Sequence, residues 1–146
     1  MPDLLDTYIE NREPVQPTDA NSYGTAHGGN VTKWMDEVGA LSATRFAGES
    51  CVTASIARMD FERPIPVGET AVIRGYVYDA GETSVDVRLE AFREKPRTGE
   101  REKTTESYFV FVAVDEAGDP QPVPDLTTET ERASMLQRKA RDGRTD

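Results

Sequence analysis

Cysteine occurs once (Cys51), histidine once (His27) and lysine only four times (Lys33, Lys95, Lys103 and Lys139) in 146 residues. A single cysteine excludes an intramolecular disulfide and fits a reducing compartment. Cys51 itself reads as a small apolar strand residue rather than a nucleophile. With one histidine, no His and Cys cluster has metal-ligand spacing, so no metal is expected. A nucleophile elbow with its Ser-His-Asp partners, a phosphate-binding loop and a dinucleotide fingerprint are also missing. No run approaches the length needed to span a bilayer. The opening MPDLLDTYIE has neither the basic nor the apolar segment of a signal peptide. A soluble, cytoplasmic protein with no membrane partner is expected.

What the chain has in excess is acid. Its 27 Asp and Glu against 17 Lys and Arg give a formal charge of −10. Such a charge offers no basic stripe to neutralise phosphates, which argues against nucleic-acid binding. Apolar residues make up 36% and charged residues 30%, which points to a heavily solvated surface. An acidic, lysine-poor surface is what a protein kept soluble in molar salt carries, so a halophilic source is expected.

The pattern along the chain predicts one domain over residues 1–126 and a helical tail over 127–146. Residues 4–16 hold a short first strand, and the Gly- and Asn-rich stretch 18–29 reads as a loop. Gly28-Gly29-Asn30 leads into one strong helix, about residues 30–46, stopped by Gly48. Val31, Trp34, Met35, Val38, Leu41 and Phe46 give it an apolar stripe. Small residues on its other side, Gly39, Ala40 and Ala43 among them, would let a second backbone or a ligand approach. From Cys51 the period becomes two, with strands over 51–62, 70–79, 83–92 and 102–114. In 83–92 the alternation predicts a buried face (Val85, Val87, Leu89, Ala91) and a wet face carrying Arg88 and Glu90. Tyr108 to Val114 is apolar throughout, so its second face needs a cover, which points to an oligomer. Residues 127–142, with acids first and bases last, predict an exposed terminal helix. The whole is α+β, a curved antiparallel sheet wrapping one central helix, plus a C-terminal helix.

Two features could carry chemistry. Asp36 places a carboxylate on a mostly buried helix, where it must be paired, hydrogen-bonded or useful. A salt bridge or a subunit contact would also explain it. Gly28-Gly29 leaves free N–H groups at the positive end of the helix dipole, a ready oxyanion or phosphate site. A tight turn would explain the glycines equally. Eight residues separate Gly28 from Asp36, about 12 Å along one helix. A reacting carbonyl has to lie roughly 3 Å from both the donors and the attacking group. One helix cannot provide that, whereas two antiparallel helices about a two-fold axis can. If both act together, the site lies at a dimer interface. His27 is read as positioning the loop or bonding near the substrate rather than as the base.

The stretch DANSYGTAHGGNVTKWMDEVGALSATR (19–45) resembles the signature of hotdog-fold acyl-CoA thioesterases. It is most similar to the bacterial short-chain acyl-CoA thioesterases and to each half of the tandem brain-type acyl-CoA hydrolase. VTASIARMDFERPIPVGE (52–69), GETSVDVRLEAF (81–92) and YFVFVAVDEAGDPQPVP (108–124) continue the resemblance in order. It implies hydrolysis of fatty acyl-CoA to fatty acid and CoA, with CoA as part of the substrate and no separate cofactor. Asp36 then acts as general base on water or as a nucleophile giving a mixed anhydride, and the Gly28 and Gly29 N–H groups polarise the thioester carbonyl. A second contribution comes from the loop before HGG of the paired subunit, where relatives carry Asn or Asp. This chain has Thr25 there, with Asn21 as a nearby alternative. The phosphates of CoA need cations, for which Arg58, Arg63, Arg93 and Lys95 are candidates, although each would also serve as an ordinary salt-bridge partner. A homo-oligomer is implied, a dimer at minimum and a trimer of dimers in the family. The competing functions are a hotdog acyl-CoA hydratase and a non-catalytic acyl-CoA-binding protein.

Overall fold

Period-two alternation in the second half of the chain produces strands whose apolar faces line up over one amphipathic helix. The computed structural model describes residues 1–144. Five strands, β1 (Ile9–Pro14), β2 (Ser50–Ile56), β3 (Thr70–Ala80), β4 (Ser84–Glu94) and β5 (Arg101–Val114), form one sheet in the order β1-β3-β4-β5-β2. Every pairing is antiparallel. The sheet curls around helix α1 (Gly28–Ala47), and a second helix, α2 (Glu131–Gly143), follows at the end.

Val31, Trp34, Met35, Val38 and Phe46 of α1 pack on Val85, Val87, Leu89, Phe109 and Phe111 of the sheet. Burial of each such side chain contributes about 1.5–3 kcal/mol, so this layer is the main source of stability. Gly48 ends α1 in the left-handed conformation (φ 69°), which glycine adopts without a Cβ penalty. Ahead of β1 the chain makes a 3-10 turn, Leu4–Thr7, rather than a continuous strand from residue 4. A bond from Leu4 N–H to the Thr127 carbonyl ties that turn to the segment before α2.

Several expectations need correction. Gly39 and Ala43 do not face a partner but their own sheet. A Cβ on Gly39 would stand 2.8 Å from Phe111 Cζ and 2.9 Å from Leu89 Cδ1, so the helix needs a glycine to lie this close. Leu41, placed in the apolar stripe, is half exposed. The face of β4 expected to be wet buries Arg88 and Glu90, both under 5% exposed. Arg88 bonds to Glu106 (2.8 Å) and to the Tyr76 hydroxyl (3.2 Å), and Glu90 pairs with Arg74 (3.0 Å) and Lys103 (3.1 Å). Alternation told the two faces apart but not what covers the polar one.

That cover is partly α2. Its Ala133 and Ala140 are fully buried against Tyr76, Tyr78, Tyr108 and Leu4, so the terminal helix is exposed only on its outer side. Arg141 clamps it to Asp79 (2.7 and 2.8 Å). The second face of β5 is therefore covered at Tyr108 by the chain's own helix, while Val110, Val112 and Val114 on the same face stay half-buried.

The two sheet edges differ in kind. β1 ends in Pro14 and carries Glu10, Arg12 and Glu13, devices that keep an edge from pairing. β2 (SCVTASI) has no charge and no proline, and its Val52 and Ile56 are about half exposed. The β-ladder expected to reach residue 62 stops at Ile56, after a bulge between Thr53 and Ser55. Residues 57–62 run on beside β5 held by side-chain as well as backbone bonds: Ser107 Oγ donates to the Ala57 carbonyl (3.0 Å) and Thr105 Oγ1 to the Asp60 carbonyl (2.7 Å), while the Ala57 and Glu62 N–H groups donate to the Tyr108 (3.0 Å) and Thr104 (2.8 Å) carbonyls.

Candidate active site

The start of α1 is laid down by a loop that folds on itself. Asn21 Oδ1 accepts from the N–H groups of Tyr23 (2.9 Å) and Thr25 (3.2 Å) and from the Thr25 hydroxyl (3.2 Å). Gly24 turns the chain at φ 76°, which the tight return from Asn21 to Thr25 requires. Ala26 N–H donates to the Ile65 carbonyl (2.8 Å) and Val67 N–H to the Gly24 carbonyl (3.0 Å), which clips the loop to residues 65–67. The His27 backbone donates to the Asp19 carbonyl (2.9 Å), and its own carbonyl accepts from Asn30 and Val31 as α1 begins. Its imidazole is exposed and does not cap the helix. The N–H groups of Gly28 and Gly29 thus open α1 without a capping side chain.

Two turns on, Asp36 emerges on the side of α1 that faces β2. Thr53 Oγ1 donates to Asp36 Oδ1 at 2.5 Å, a charge-assisted bond that fixes the carboxylate against the open strand. Asp36 is half-buried and Thr53 exposed. The catalytic candidate therefore stands at the uncharged sheet edge, and the oxyanion candidates stand at the helix start. Thr53 is absent from the sequence candidates because a β-branched residue in a strand is unremarkable. Only the register of β2 beside α1 singles it out.

Next to Gly28 a recess of about 380 Å³ is lined by Ala26, Val31, Phe61, Pro64 and Ile65, with Thr25, Glu62, Arg63 and Thr104 at its margin. The Phe61 ring lies directly over Gly28. Of the cationic candidates, Arg63 borders this recess and pairs with Glu102 (3.1 Å). Arg58 pairs with Asp60 (3.1 Å) beside a separate surface pocket with Lys103 and Tyr108. Arg93 is held by both oxygens of Glu69 (2.6 and 2.9 Å), Lys95 lies 3.9 Å from Glu100, and neither borders the recess. Burial pushes the Cys51 thiol up, partly offset by the Thr44 hydroxyl, the direction opposite to that of an activated thiol. Among the described residues no group of His, Cys, Asp or Glu is arranged to hold a metal, and no helix is long and apolar enough to cross a membrane.

The chain matches the family model described as the thioesterase superfamily over residues 23–100. It is 36% identical over 126 residues to an uncharacterized acyl-CoA thioester hydrolase, YkhA of Bacillus subtilis (strain 168), with 86% of this chain and 73% of that one covered. Among solved structures, an apo-hexameric acyl-CoA thioesterase superposes with a TM-score of 0.87 at 37% identity, covering 96% of this chain and 90% of that one. An acyl-CoA hydrolase from Staphylococcus aureus, solved with butyryl coenzyme A, coenzyme A and coenzyme A disulfide, gives a TM-score of 0.87 at 28% identity over 96% and 85%. The same hydrolase has been characterised with alanine in place of an asparagine, of an aspartate 15 positions later, and of a threonine 17 positions beyond that.

Proposed function

The chain belongs to the thioesterase superfamily, and on that premise we propose that it hydrolyses fatty acyl-CoA to free fatty acid and CoA with Asp36 as its central catalytic residue. Its curled sheet around a central helix is the hotdog fold of acyl-CoA thioesterases. The observation that carries the residue assignment is a spacing. Asn21, Asp36 and Thr53 reproduce the three residue types altered in the Staphylococcus aureus hydrolase and both intervals between them, and here Thr53 bonds directly to Asp36.

In this mechanism the thioester carbonyl sits against the Gly28 and Gly29 N–H groups, where the helix dipole favours the developing oxyanion. Asp36 takes a proton from water as it adds to the carbonyl carbon, or adds itself to give a mixed anhydride that water then opens. In the first route the C–S bond breaks as the adduct collapses and Asp36 returns its proton to the departing CoA sulfur; in the second the sulfur leaves as thiolate when the anhydride forms and takes its proton from solvent. Asn21 is the better polar partner from the loop. Its Oδ1 is fully engaged by three donors, so its Nδ2 is left to donate to water or to the carbonyl. Thr25 is then a positioning residue acting through Asn21. His27 stands exposed just before α1, next in the chain to Gly28, where it is left free to bond near the substrate.

The separation of Gly28 from Asp36 along one helix supports a composite site, with Gly28 and Asn21 from one subunit and Asp36 and Thr53 from the other. The bare β2 edge, with Val52 and Ile56 outward, is the surface on which two copies would pair. We place three such dimers in the working assembly, by analogy with the hexameric relative. Arg58, Arg63, Arg93 and Lys95 are candidates for the CoA phosphates, each having to exchange a carboxylate partner for a phosphate. The setting proposed is a cytoplasm rich in salt, supported by the formal charge of −10.

Release of free CoA thiol from acyl-CoAs of graded length tests the assignment. The wild type is expected to release thiol, and Asp36→Ala of unchanged oligomeric size to lose about a hundredfold or more in kcat. A folded wild type that binds acyl-CoA and releases no thiol would instead make it a binding protein. Formation of a hydroxyacyl-CoA in place of thiol would make it a hydratase.

A further inference from the structure

The recess beside Gly28 has a lining that matches one half of an acyl-CoA and not the other. Ile65 and Val31 are 2% and 3% exposed and form its floor, with Ala26 and Pro64 at the sides and Phe61, about half exposed, across the mouth. Its two hydroxyls are already spent. Thr104 Oγ1 donates to the Ala91 carbonyl (3.0 Å) and Thr25 Oγ1 to Asn21 (3.2 Å). A pantetheine arm carries two amides that would lose water against the apolar floor without gaining partners there, since the charged Glu62 and Arg63 stand at the margin and Arg63 is paired with Glu102. An alkyl chain has no such cost and gains from each methylene removed from water.

Phe61 is placed to set how much chain the recess accepts. Its neighbours on both sides are pinned to β5: the Asp60 carbonyl accepts from Thr105 Oγ1 (2.7 Å), and Glu62 N–H donates to the Thr104 carbonyl (2.8 Å). The backbone at Phe61 is therefore fixed and only the ring can turn. That ring lies over Gly28, with its Cε2 and Cζ 3.5 Å from where a Cβ would stand. We propose that the recess between the α1 start and residues 61–65 receives the acyl chain of the substrate and that Phe61 determines its length. This rests on the thioesterase reading above and adds the direction in which the substrate lies. With the carbonyl at Gly28 and Gly29, the alkyl side enters the recess under Phe61 and the sulfur side points away from it, toward solvent.

The test compares wild type, Phe61→Ala and Phe61→Trp on acetyl- to palmitoyl-CoA, all checked for equal oligomeric size. Phe61→Ala is expected to raise kcat/KM for octanoyl- over butyryl-CoA about tenfold or more, the effect of roughly two further methylenes buried. Phe61→Trp is expected to shift the ratio the other way. A uniform loss over all lengths, with the ratio unchanged in both variants, overturns the inference while leaving hydrolysis intact. The same ratio is read as binding affinity in an Asp36→Ala background, so it is measured even if the wild type releases no thiol. An affinity ratio insensitive to residue 61 overturns the inference there too.

Discussion

Asn21, Thr25, Asp36 and Thr53 are all common residue types, and their places in the chain give little hint of partnership. Asp36 stands out as a candidate because a carboxylate on an apolar helix needs a reason, and Gly28 and Gly29 because a helix start with two glycines is unusual. The role proposed for Asn21 is harder to see. Thr25 stands nearer to His27 in sequence, yet its hydroxyl is turned onto Asn21, and only the folded loop shows which of the two keeps a free donor. Thr53 left no signal, since its hydroxyl meets Asp36 through the packing of a strand on a helix. If that bond orients the carboxylate, Thr53→Val lowers kcat about tenfold or more with the fold unchanged, and Thr53→Ser retains most activity. Equal kcat for Thr53→Val and wild type would remove Thr53 from the mechanism.

At the scale of elements, the boundaries of α1 and of β3 to β5 were readable to within a residue or two, because periodicity and Gly48 mark them. What covers each face was not readable. The small residues of α1 suggested a neighbour outside the chain, whereas Gly39 serves contact with Phe111 and Leu89 inside it. Gly39→Ala is expected to cost about 1–3 kcal/mol by overpacking, seen as a drop of several degrees in Tm; an unchanged Tm would mean that the helix lifts off freely. The edge of β2 is the counterpart. Its lack of charge could be read from sequence, but its position as an edge required the strand order. Val52→Lys with Ile56→Lys is expected to yield smaller particles by light scattering and to abolish thiol release. Full-size, active assemblies would locate the interface elsewhere.

For the whole molecule the governing quantity is charge. Self-repulsion at −10 predicts an unfolding midpoint that rises between low salt and molar KCl, and a midpoint that stays level or falls would contradict a salt-adapted origin. Acid acts through particular groups. Burial pushes Glu90 up, but Arg88, Arg74 and Lys103 outweigh it and hold its carboxyl below the usual range. Because the folded value lies below the unfolded one, this stabilisation is complete above about pH 4–5 and is lost as pH falls through the folded value. Glu90→Gln is therefore expected to be less stable at neutral pH, with a shallower loss of stability in acid.

The most direct measurement is complementation between two inactive subunits. Asp36→Ala and Asn21→Ala proteins are each assayed alone, then unfolded together, refolded as a mixture and assayed for thiol release. If one subunit supplies Asn21 and Gly28 while its neighbour supplies Asp36 and Thr53, mixed dimers contain one intact site, and activity returns to about a quarter of wild type. A mixture as inactive as its parents, at wild-type oligomeric size, would contradict the shared site and place the whole reaction within a single subunit.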